Sequence, residues 1–253
     1  MSDHHANRRR HGAAFFLLPN LLTTGALFAG FFAIVSALDG KPVSGAIAVL
    51  VAGLLDGLDG RVARLTGTQS AFGVQYDSMS DLVSFGIAPA LIAYTWSLQT
   101  LRELGPLAGK IGWLAAFIYT ACAALRLARF NAQAEVADKR YFQGLASPAA
   151  AGTLVALVWV GNERGWTGTD LRWVLAAVTA ILGLLMFSRL RYYSFKAWPP
   201  GERGTLTWAL VLVLLFVLLA VDTASVLLAI GLLYVLSGIV LTVHGRRRSG
   251  RRS

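Results

Sequence analysis

Long apolar runs separated by short polar stretches make up most of this chain. A membrane-spanning helix needs about 20 predominantly apolar residues to cross about 30 Å of hydrocarbon. Eight runs have this character, with the bounds 20–38, 43–65, 74–98, 110–130, 147–162, 170–187, 205–221 and 223–243. The pattern therefore predicts an all-α integral membrane protein with about eight transmembrane helices.

The segment before the first run is basic and then apolar, which is also typical of a signal peptide. Pro19 and Asn20 interrupt the apolar stretch, however, and no small-residue cleavage site precedes a soluble domain. We therefore expect 12–18 to form a short interfacial helix within a cytoplasmic segment, 1–19. The expected organisation continues with a core domain, further helices and a basic tail, at 20–162, 170–243 and 244–253.

Composition and charge agree with a membrane protein. Charged residues make up 14% of the chain, against about 25% in soluble proteins. If the eight spans alternate in direction, 18 of the 23 Lys and Arg residues fall on the side that holds both termini. The positive-inside rule places that side in the cytoplasm, and we expect an inner-membrane protein. The net charge of +10 then reflects topology and attraction to anionic lipid, not nucleic-acid binding.

Four aspartates stand inside or at the ends of two apolar runs, at Asp56, Asp59, Asp77 and Asp81. Each would cost about 2.5–3.5 kcal/mol at the centre of a membrane helix, so ionisable residues there indicate a functional site. At 100° per residue, Asp56 and Asp59 share one helix face, and Asp77 and Asp81 share a face of the next helix. Because a short loop joins the two helices, we expect the four carboxylates to converge.

Converging carboxylates repel one another unless positive charge lies between them, and the nearby Arg64 cannot neutralise four. Oxygen ligands without a nearby His or Cys suit Mg²⁺ or Mn²⁺. Four aspartates are enough for two ions that share ligands, an arrangement that stabilises both oxygens in a phosphoryl displacement. The sequence therefore predicts a two-ion Mg²⁺ or Mn²⁺ site, with a structural ion-pair network as the alternative.

Small residues accompany the aspartates on the same faces. Gly57, Gly60 and Ala63 follow Asp56 on its helix, and Gly73 begins the next face. Such positions leave the backbone accessible to a bulky ligand. Close packing between helices is the other explanation for small residues at this spacing.

The run from Asp56 to Asp81 has the form D-x2-D-G-x2-A-R-x8-G-x3-D-x3-D, which resembles the CDP-alcohol phosphotransferase family at every fixed position. The resemblance implies that the four aspartates hold two divalent ions around the pyrophosphate of a CDP-linked donor. It also implies that Asp81 is the general base, and that Gly60, Arg64 and Ser70 contact the CDP moiety.

Other segments resemble the branch of this family that makes phosphatidylserine, at 18–23, 84–90, 126–131 and 141–145. In that branch the first span borders the nucleotide, which adds Asn20 and Thr23 to the expected donor contacts, beside the small residues Ala63 and Gly73. The resemblance implies that a phosphatidyl group passes from CDP-diacylglycerol to the hydroxyl of L-serine, with release of CMP. It also implies a homodimer embedded in membrane lipid.

If serine is the acceptor, its binding site requires a cation to pair with the serine carboxylate. Arg126 and Arg129 lie three residues apart at the inner end of the fourth predicted span, hence on one helix face. We expect one of them, with Lys139 as a further candidate, to bind the carboxylate in a planar bidentate pair. Positive-inside anchoring of the helix end is the alternative role for these residues.

Two other functions fit parts of the pattern. Glycerol 3-phosphate could replace serine as the acceptor, which would give phosphatidylglycerophosphate from the same donor. A divalent-cation transporter would also place aspartates in membrane helices. The transporter is disfavoured because all four aspartates lie toward the predicted cytoplasmic ends of their helices and none lies in the outer half.

Overall fold

The protein is described here from a computed structural model, which covers residues 3–67, 70–133, 141–188, 190–193, 213–214 and 216–249. Helices account for nearly all of this part of the chain. In chain order they are α1 (Asp3–Leu38), α2 (Pro42–Thr66), α3 (Ala71–Asp81), a π-helical segment (Leu82–Ile87), α4 (Ala88–Trp96), a 3₁₀ segment (Leu98–Leu104), α5 (Pro106–Gln133), α6 (Ser147–Glu163), α7 (Gly168–Phe187) and α8 (Thr223–Ser249).

One short antiparallel strand pair interrupts the helical pattern. Strand β1 (Tyr141–Gln143) follows α5, and strand β2 (Arg191–Tyr193) follows α7. Their register places Tyr141 opposite Tyr193. Apart from this pair, the predicted all-helical class is confirmed in the described residues.

Among the described residues, five helices are long and apolar enough to cross a membrane, and a sixth candidate is the bent helix that α3, the π segment, α4 and the 3₁₀ segment form together. The eight predicted spans are therefore not all confirmed. The span predicted at 147–162 corresponds to α6, which has only 17 residues. The span predicted at 205–221 lies mostly outside the described residues.

The separate interfacial helix expected at 12–18 is not found. Helix α1 is continuous from Asp3 to Leu38 and contains Pro19 in its interior. Proline removes one backbone donor and usually bends or ends a helix, which is why the sequence indicated a break there. In the structure the first spanning segment, Leu18–Leu38, continues directly from the preceding helical turns.

Alanines make up much of the contact between α1 and α2. Ala26, Ala33, Ala46 and Ala52 are each at most 2% exposed, and they let the two helix backbones approach closely. Large apolar side chains point outward instead, as Phe28 does at 70% exposure. This distribution is expected for helices in lipid, where small residues favour helix contacts and large ones cover the outer surface.

The π segment lies directly after Asp81 and contacts two neighbouring helices. Its Ser84 donates a hydrogen bond of 3.1 Å to the carbonyl of Ala26 on α1. The wider π turn loosens the helical ladder, and the carbonyl of Phe85 accepts a bond of 3.0 Å from the hydroxyl of Tyr119 on α5. These two hydrogen bonds fix the positions of α1 and α5 along their axes relative to Asp81.

At the end of the bundle away from the four aspartates, charged side chains show which helix ends lie together. Arg172 at the start of α7 lies 3.7 Å from Glu103 of the 3₁₀ segment. Arg164 after α6 lies 3.7 Å from Asp222, just before α8. The aspartates of the α2–α3 pair lie toward the opposite ends of their helices, so the candidate site is at the other end of the bundle.

Candidate active site

Three of the four aspartates form a compact group between α2 and α3. Asp56 and Asp59 stand one turn apart on α2, and Asp77 faces them from α3. One carboxylate oxygen from each lies within 4.8 Å of the other two. Asp59 is the most deeply placed, with 4% exposure. The sequence prediction that these residues converge is thus matched by the geometry.

Asp81 lies next to this group but is not one of the three. It ends α3, one turn after Asp77. Its carboxyl is a neighbour of the Asp56 carboxyl. The fourth carboxylate therefore extends the acidic group in one direction, toward α5.

Helix α1 contributes a hydroxyl that the sequence alone did not connect with the aspartates. Thr23 donates a hydrogen bond of 2.7 Å to Oδ2 of Asp59. The backbone carbonyl of Thr23 accepts a bond of 3.2 Å from Ser80 on α3. Thr23 was expected to border the nucleotide, and that contact stays a prediction; the structure shows that its hydroxyl binds one of the carboxylates.

The small residues of α2 leave one side of the acidic group open. A Cβ added at Gly57 would meet nothing within 4 Å, and one at Gly60 would meet only Nη2 of Arg64, at 3.9 Å. Ala63 is partly exposed on the same helix. This surface supports ligand access, because close packing against another described helix would fill the space beside the glycines.

The start of α3 brings together three other residues that were expected to contact the donor. Ser70 is the N-cap of α3, and its hydroxyl accepts a hydrogen bond of 3.0 Å from the backbone N–H of Gly73. A Cβ at Gly73 would lie 3.5 Å from Oδ1 of Asn20 on α1. Ser70 thus has a structural task at the helix end, next to the open surface.

Arg126 of α5 lies on the Asp81 side of the acidic group. The two side chains are electrostatic neighbours, and Nη1 of Arg126 donates a hydrogen bond of 2.8 Å to Ser147 at the start of α6. Its Nε atom is inaccessible and has no partner among the described residues. A buried guanidinium donor without a partner is uncommon, and here it stands beside a carboxylate.

Arg129 has a different environment from Arg126, although either one was expected to bind the serine carboxylate. Its guanidinium donates to the backbone carbonyls of Phe187 and Ser188, at 3.0 and 3.4 Å, and lies over the Phe187 ring at 5.3 Å. These contacts place Arg129 at the C-terminal end of α7, where cations stabilise free carbonyls. Lys139, the further candidate, lies outside the described residues.

The contacts of two site neighbours could not be predicted from the sequence, although Asn131 belongs to the segment 126–131 that resembles the family. Ser147 contacts Arg126, and Asn131 near the end of α5 donates a hydrogen bond of 2.9 Å to Ser78 on α3. Both pairs join segments that are far apart in the chain. A motif scan cannot find such contacts, since serine and asparagine are common polar residues at helix ends.

The residues present suit a divalent cation. The ion pairs among the described residues, Lys41–Asp39, Arg164–Asp222 and Arg172–Glu103, lie away from the four aspartates, and the single charge of Arg126 beside Asp81 cannot neutralise all four. The three closest carboxylates offer only oxygen atoms, which Mg²⁺ and Mn²⁺ prefer. The donor set and its spacing therefore fit the expected ions.

These features define a class: a helical membrane protein with a carboxylate-rich centre open at one end of the bundle. The model of the CDP-alcohol phosphatidyltransferase family matches residues 16–185. This match includes α2, α3 and α5 with all four aspartates. The chain belongs to the CDP-alcohol phosphatidyltransferase family, and it is an enzyme.

Several curated proteins are similar to this chain and carry the name CDP-diacylglycerol–serine O-phosphatidyltransferase. The protein from Helicobacter pylori strain 26695 is 38% identical over 72% of this chain and 73% of its own length. The Bacillus subtilis protein is 34% identical over 71% of this chain and 91% of its own length. The Methanocaldococcus jannaschii protein is 32% identical over 76% and 81%, respectively.

Proposed function

We propose that this enzyme transfers a phosphatidyl group from CDP-diacylglycerol to the hydroxyl of L-serine, giving phosphatidylserine and CMP. The family and the names of the similar proteins support this donor and acceptor. The observation that carries the proposal is the position of Arg126 beside Asp81, where a cation from α5 can hold an anionic acceptor, and the names of the similar proteins favour serine among such acceptors.

The phosphatidyl donor, CDP-diacylglycerol, is assigned to the open side of the acidic group. Gly60, Ala63 and Arg64 of α2 and the Asn20–Ser70–Gly73 cluster surround this side. Arg64 can pair with phosphate oxygens in a bidentate manner. The acyl chains can remain in the bilayer because the helices that carry the site are themselves membrane-spanning.

Asp56, Asp59, Asp77 and Asp81 are the proposed ligands of two divalent ions, Mg²⁺ or Mn²⁺. When bound, such ions offset the charge of the pyrophosphate and of the departing CMP. Thr23 keeps Asp59 in place through its hydrogen bond. A bound cation also stabilises the acidic residues, because a carboxylate without a positive partner has a high free-energy cost in a membrane.

The proposed reaction is a displacement at phosphorus. Asp81 takes the proton of the serine hydroxyl as its oxygen forms a bond to the phosphorus that bears diacylglycerol. The bond from that phosphorus to the bridging oxygen breaks, and this oxygen leaves with CMP. Arg126 holds the serine carboxylate, since its guanidinium is a planar donor next to the proposed base.

The surroundings of the enzyme are part of the proposal. The charge distribution supports an inner-membrane protein with both termini and the active site on the cytoplasmic side. CMP and serine would then exchange directly with the cytoplasm. A homodimer is proposed from the family resemblance.

The experiment measures CMP release by the purified protein with CDP-diacylglycerol and each of three acceptors: serine, glycerol 3-phosphate and inositol. We expect serine-dependent release. A preference for glycerol 3-phosphate, whose phosphate Arg126 would equally attract, would reassign the acceptor. Divalent-cation flux in proteoliposomes without CMP release would instead favour the transporter.

Arg126→Gln provides the residue-level test. Losing a hydrogen bond to a charged group costs about 1.5–3 kcal/mol, so the KM for serine should rise about tenfold or more. The KM for CDP-diacylglycerol should not change. Arg129→Gln is the matched control, because the Arg129 guanidinium donates hydrogen bonds to carbonyls at the end of α7. An unchanged serine KM in Arg126→Gln would contradict the assigned role.

A further inference from the structure

Helix α8 lies beyond the region that the family model matches, which ends at residue 185. One face of α8 nevertheless packs closely against the matched core. Gly231, Tyr234 and Gly238 are spaced three and four residues apart, so they share this face. Tyr234 is packed against the core and partly buried.

The two glycines allow a close approach on either side of Tyr234. A Cβ at Gly231 would overlap the hydroxyl of Thr153 on α6, and a Cβ at Gly238 would overlap the ring of Tyr192 on β2. Any larger side chain would push α8 away from the bundle. The close contact thus fixes where Tyr234 lies relative to α6 and β2.

Tyr234 lies between these two contacts of α8, beside the first half of α6, and Ser147 at the start of α6 accepts a hydrogen bond of 2.8 Å from Arg126. The side chains of Tyr234 and Arg126 are electrostatic neighbours, as those of Arg126 and Asp81 are. The ring of Tyr234 also packs on that of Tyr192, with centroids 5.4 Å apart and planes tilted by 35°. A chain of neighbours therefore leads from Asp81 through Arg126 to an aromatic pair on β2 and α8.

Two polar atoms in this region have no hydrogen-bond partner among the described residues, Nε of Arg126 and the hydroxyl of Tyr192. Tyr192 is 0% exposed, and burial raises its pKa to about 12, so the phenol stays neutral. Buried polar atoms are normally satisfied. One unsatisfied atom is on Arg126 and the other is on the ring that packs against Tyr234, so the two atoms indicate that a polar ligand binds along this series of side chains.

We propose that Tyr234 is a specificity-determining residue of the acceptor subsite: its phenol oxygen accepts a hydrogen bond from the serine ammonium while Arg126 holds the carboxylate. This inference rests on the function proposed above. Both charged groups of serine are attached to one carbon, so their partners must lie on the same side of the site, and the side chains of Arg126 and Tyr234 interact electrostatically there. Tyr192 fixes the Tyr234 ring by packing against it.

The test compares two acceptors that differ only in the ammonium group, serine and 3-hydroxypropanoate. Tyr234→Phe removes the phenol oxygen and keeps the ring contact with Tyr192. We expect the KM for serine to rise about tenfold or more, as for a lost bond to a charged group. The KM for 3-hydroxypropanoate and for CDP-diacylglycerol should stay at wild-type values, so the preference for serine falls.

Tyr94→Phe is the matched control, because Tyr94 is bonded to Arg102 at the opposite end of the bundle. It should leave all three constants unchanged. Equal KM values for serine in Tyr234→Phe and wild type would overturn the role of Tyr234, as would a rise of equal size for both acceptors. Lack of serine-dependent CMP release by the wild type would overturn the proposed function itself, and this inference with it.

Discussion

The hydroxyl of Thr23 on α1 lies 2.7 Å from Oδ2 of Asp59 on α2 and donates a hydrogen bond to it. Both residues are 4% exposed. A buried carboxylate that loses its donor is left with an uncompensated desolvation cost. The bond therefore joins the first helix of the bundle to the acidic group.

Thr23→Val should weaken the binding of divalent cations by the acidic group, while it keeps the branched shape of the side chain. Removing a hydrogen bond to a charged group costs about 1.5–3 kcal/mol, so the Mg²⁺ concentration for half-maximal activity should rise by about tenfold. Titration of activity with Mg²⁺ measures this shift. Thr24→Val is the control, since Thr24 bonds to Tyr76 and the Asn20 carbonyl instead. Identical Mg²⁺ dependence in Thr23→Val and wild type would show that the bond has no role in cation binding.

Substitution of each aspartate in the acidic group by asparagine should reduce turnover by at least about 10²-fold, the usual scale for losing a catalytic base or charge stabiliser. The set is Asp56→Asn, Asp59→Asn, Asp77→Asn and Asp81→Asn. Insertion should be preserved, because a neutral residue is cheaper in the membrane. Asp39→Asn is the control, since Asp39 pairs with Lys41 away from the site.

Cation binding should also be visible without turnover. Mg²⁺ or Mn²⁺ should raise the melting temperature of the wild type, since a ligand of the folded state stabilises it by mass action. Asp77→Asn should lose this response, while Asp39→Asn keeps it. A chelator should abolish activity, and either ion should restore it. Full activity in excess chelator would contradict the two-ion proposal.

Ser70→Ala should lower the stability of the protein, and it should also remove any contact of Ser70 with CDP-diacylglycerol. Loss of an N-cap hydrogen bond costs about 1 kcal/mol, and Ser70 caps α3 by accepting from Gly73. We expect a lower melting temperature in detergent, and Ser70→Asp should restore it because aspartate is also a good N-cap. If Ser70 additionally contacts CDP, both variants should raise the KM for CDP-diacylglycerol. A normal KM in both would restrict Ser70 to capping.

Asp222 provides a pH test at the start of α8. It accepts a hydrogen bond of 2.9 Å from the backbone N–H of Ser225, and this bond lowers the pKa of Asp222 below its ordinary value of 3.8. Its stabilising contribution is therefore complete above that value and is lost as the pH falls through the lower pKa of the folded state.

Asp222→Ala should consequently melt at a lower temperature than the wild type near neutral pH. The difference should shrink as the pH falls below the ordinary aspartate range, and thermal unfolding at several pH values measures it. Asp222→Asn is the control, because asparagine retains the N-cap. A difference between Asp222→Ala and wild type that is constant with pH would exclude a contribution from the ionised carboxylate.

The acidic group could be predicted from the sequence because its information is local. Asp56, Asp59, Asp77 and Asp81 lie on two consecutive helices, and helical periodicity alone places them on facing surfaces. The family signature covers the same short stretch. The structure adds the finer distinction that three carboxylates form the compact group and Asp81 extends it toward α5.

The neighbours on other helices could not be predicted in this way. Periodicity put Arg126 and Arg129 on one face, but it could not show that the carbonyls at the end of α7 bind Arg129. Thr23 and Tyr234 belong to the first and last described helices, and their positions depend on packing across the bundle. Likewise, Pro19 indicated a break that α1 does not show, because one proline can be accommodated inside a helix that is packed in a bundle.

The hydrogen bond from Tyr119 to the carbonyl of Phe85 affects how the protein responds to bilayers of different thickness. Tyr119 stands two turns before Arg126 on the same face of α5, and Phe85 follows Asp81 by one turn. Sliding of α5 would break this bond where no water can replace it. When the bilayer thins or thickens, the helices are therefore expected to tilt together. The spacing between Arg126 and Asp81 would then stay constant across membranes of different thickness.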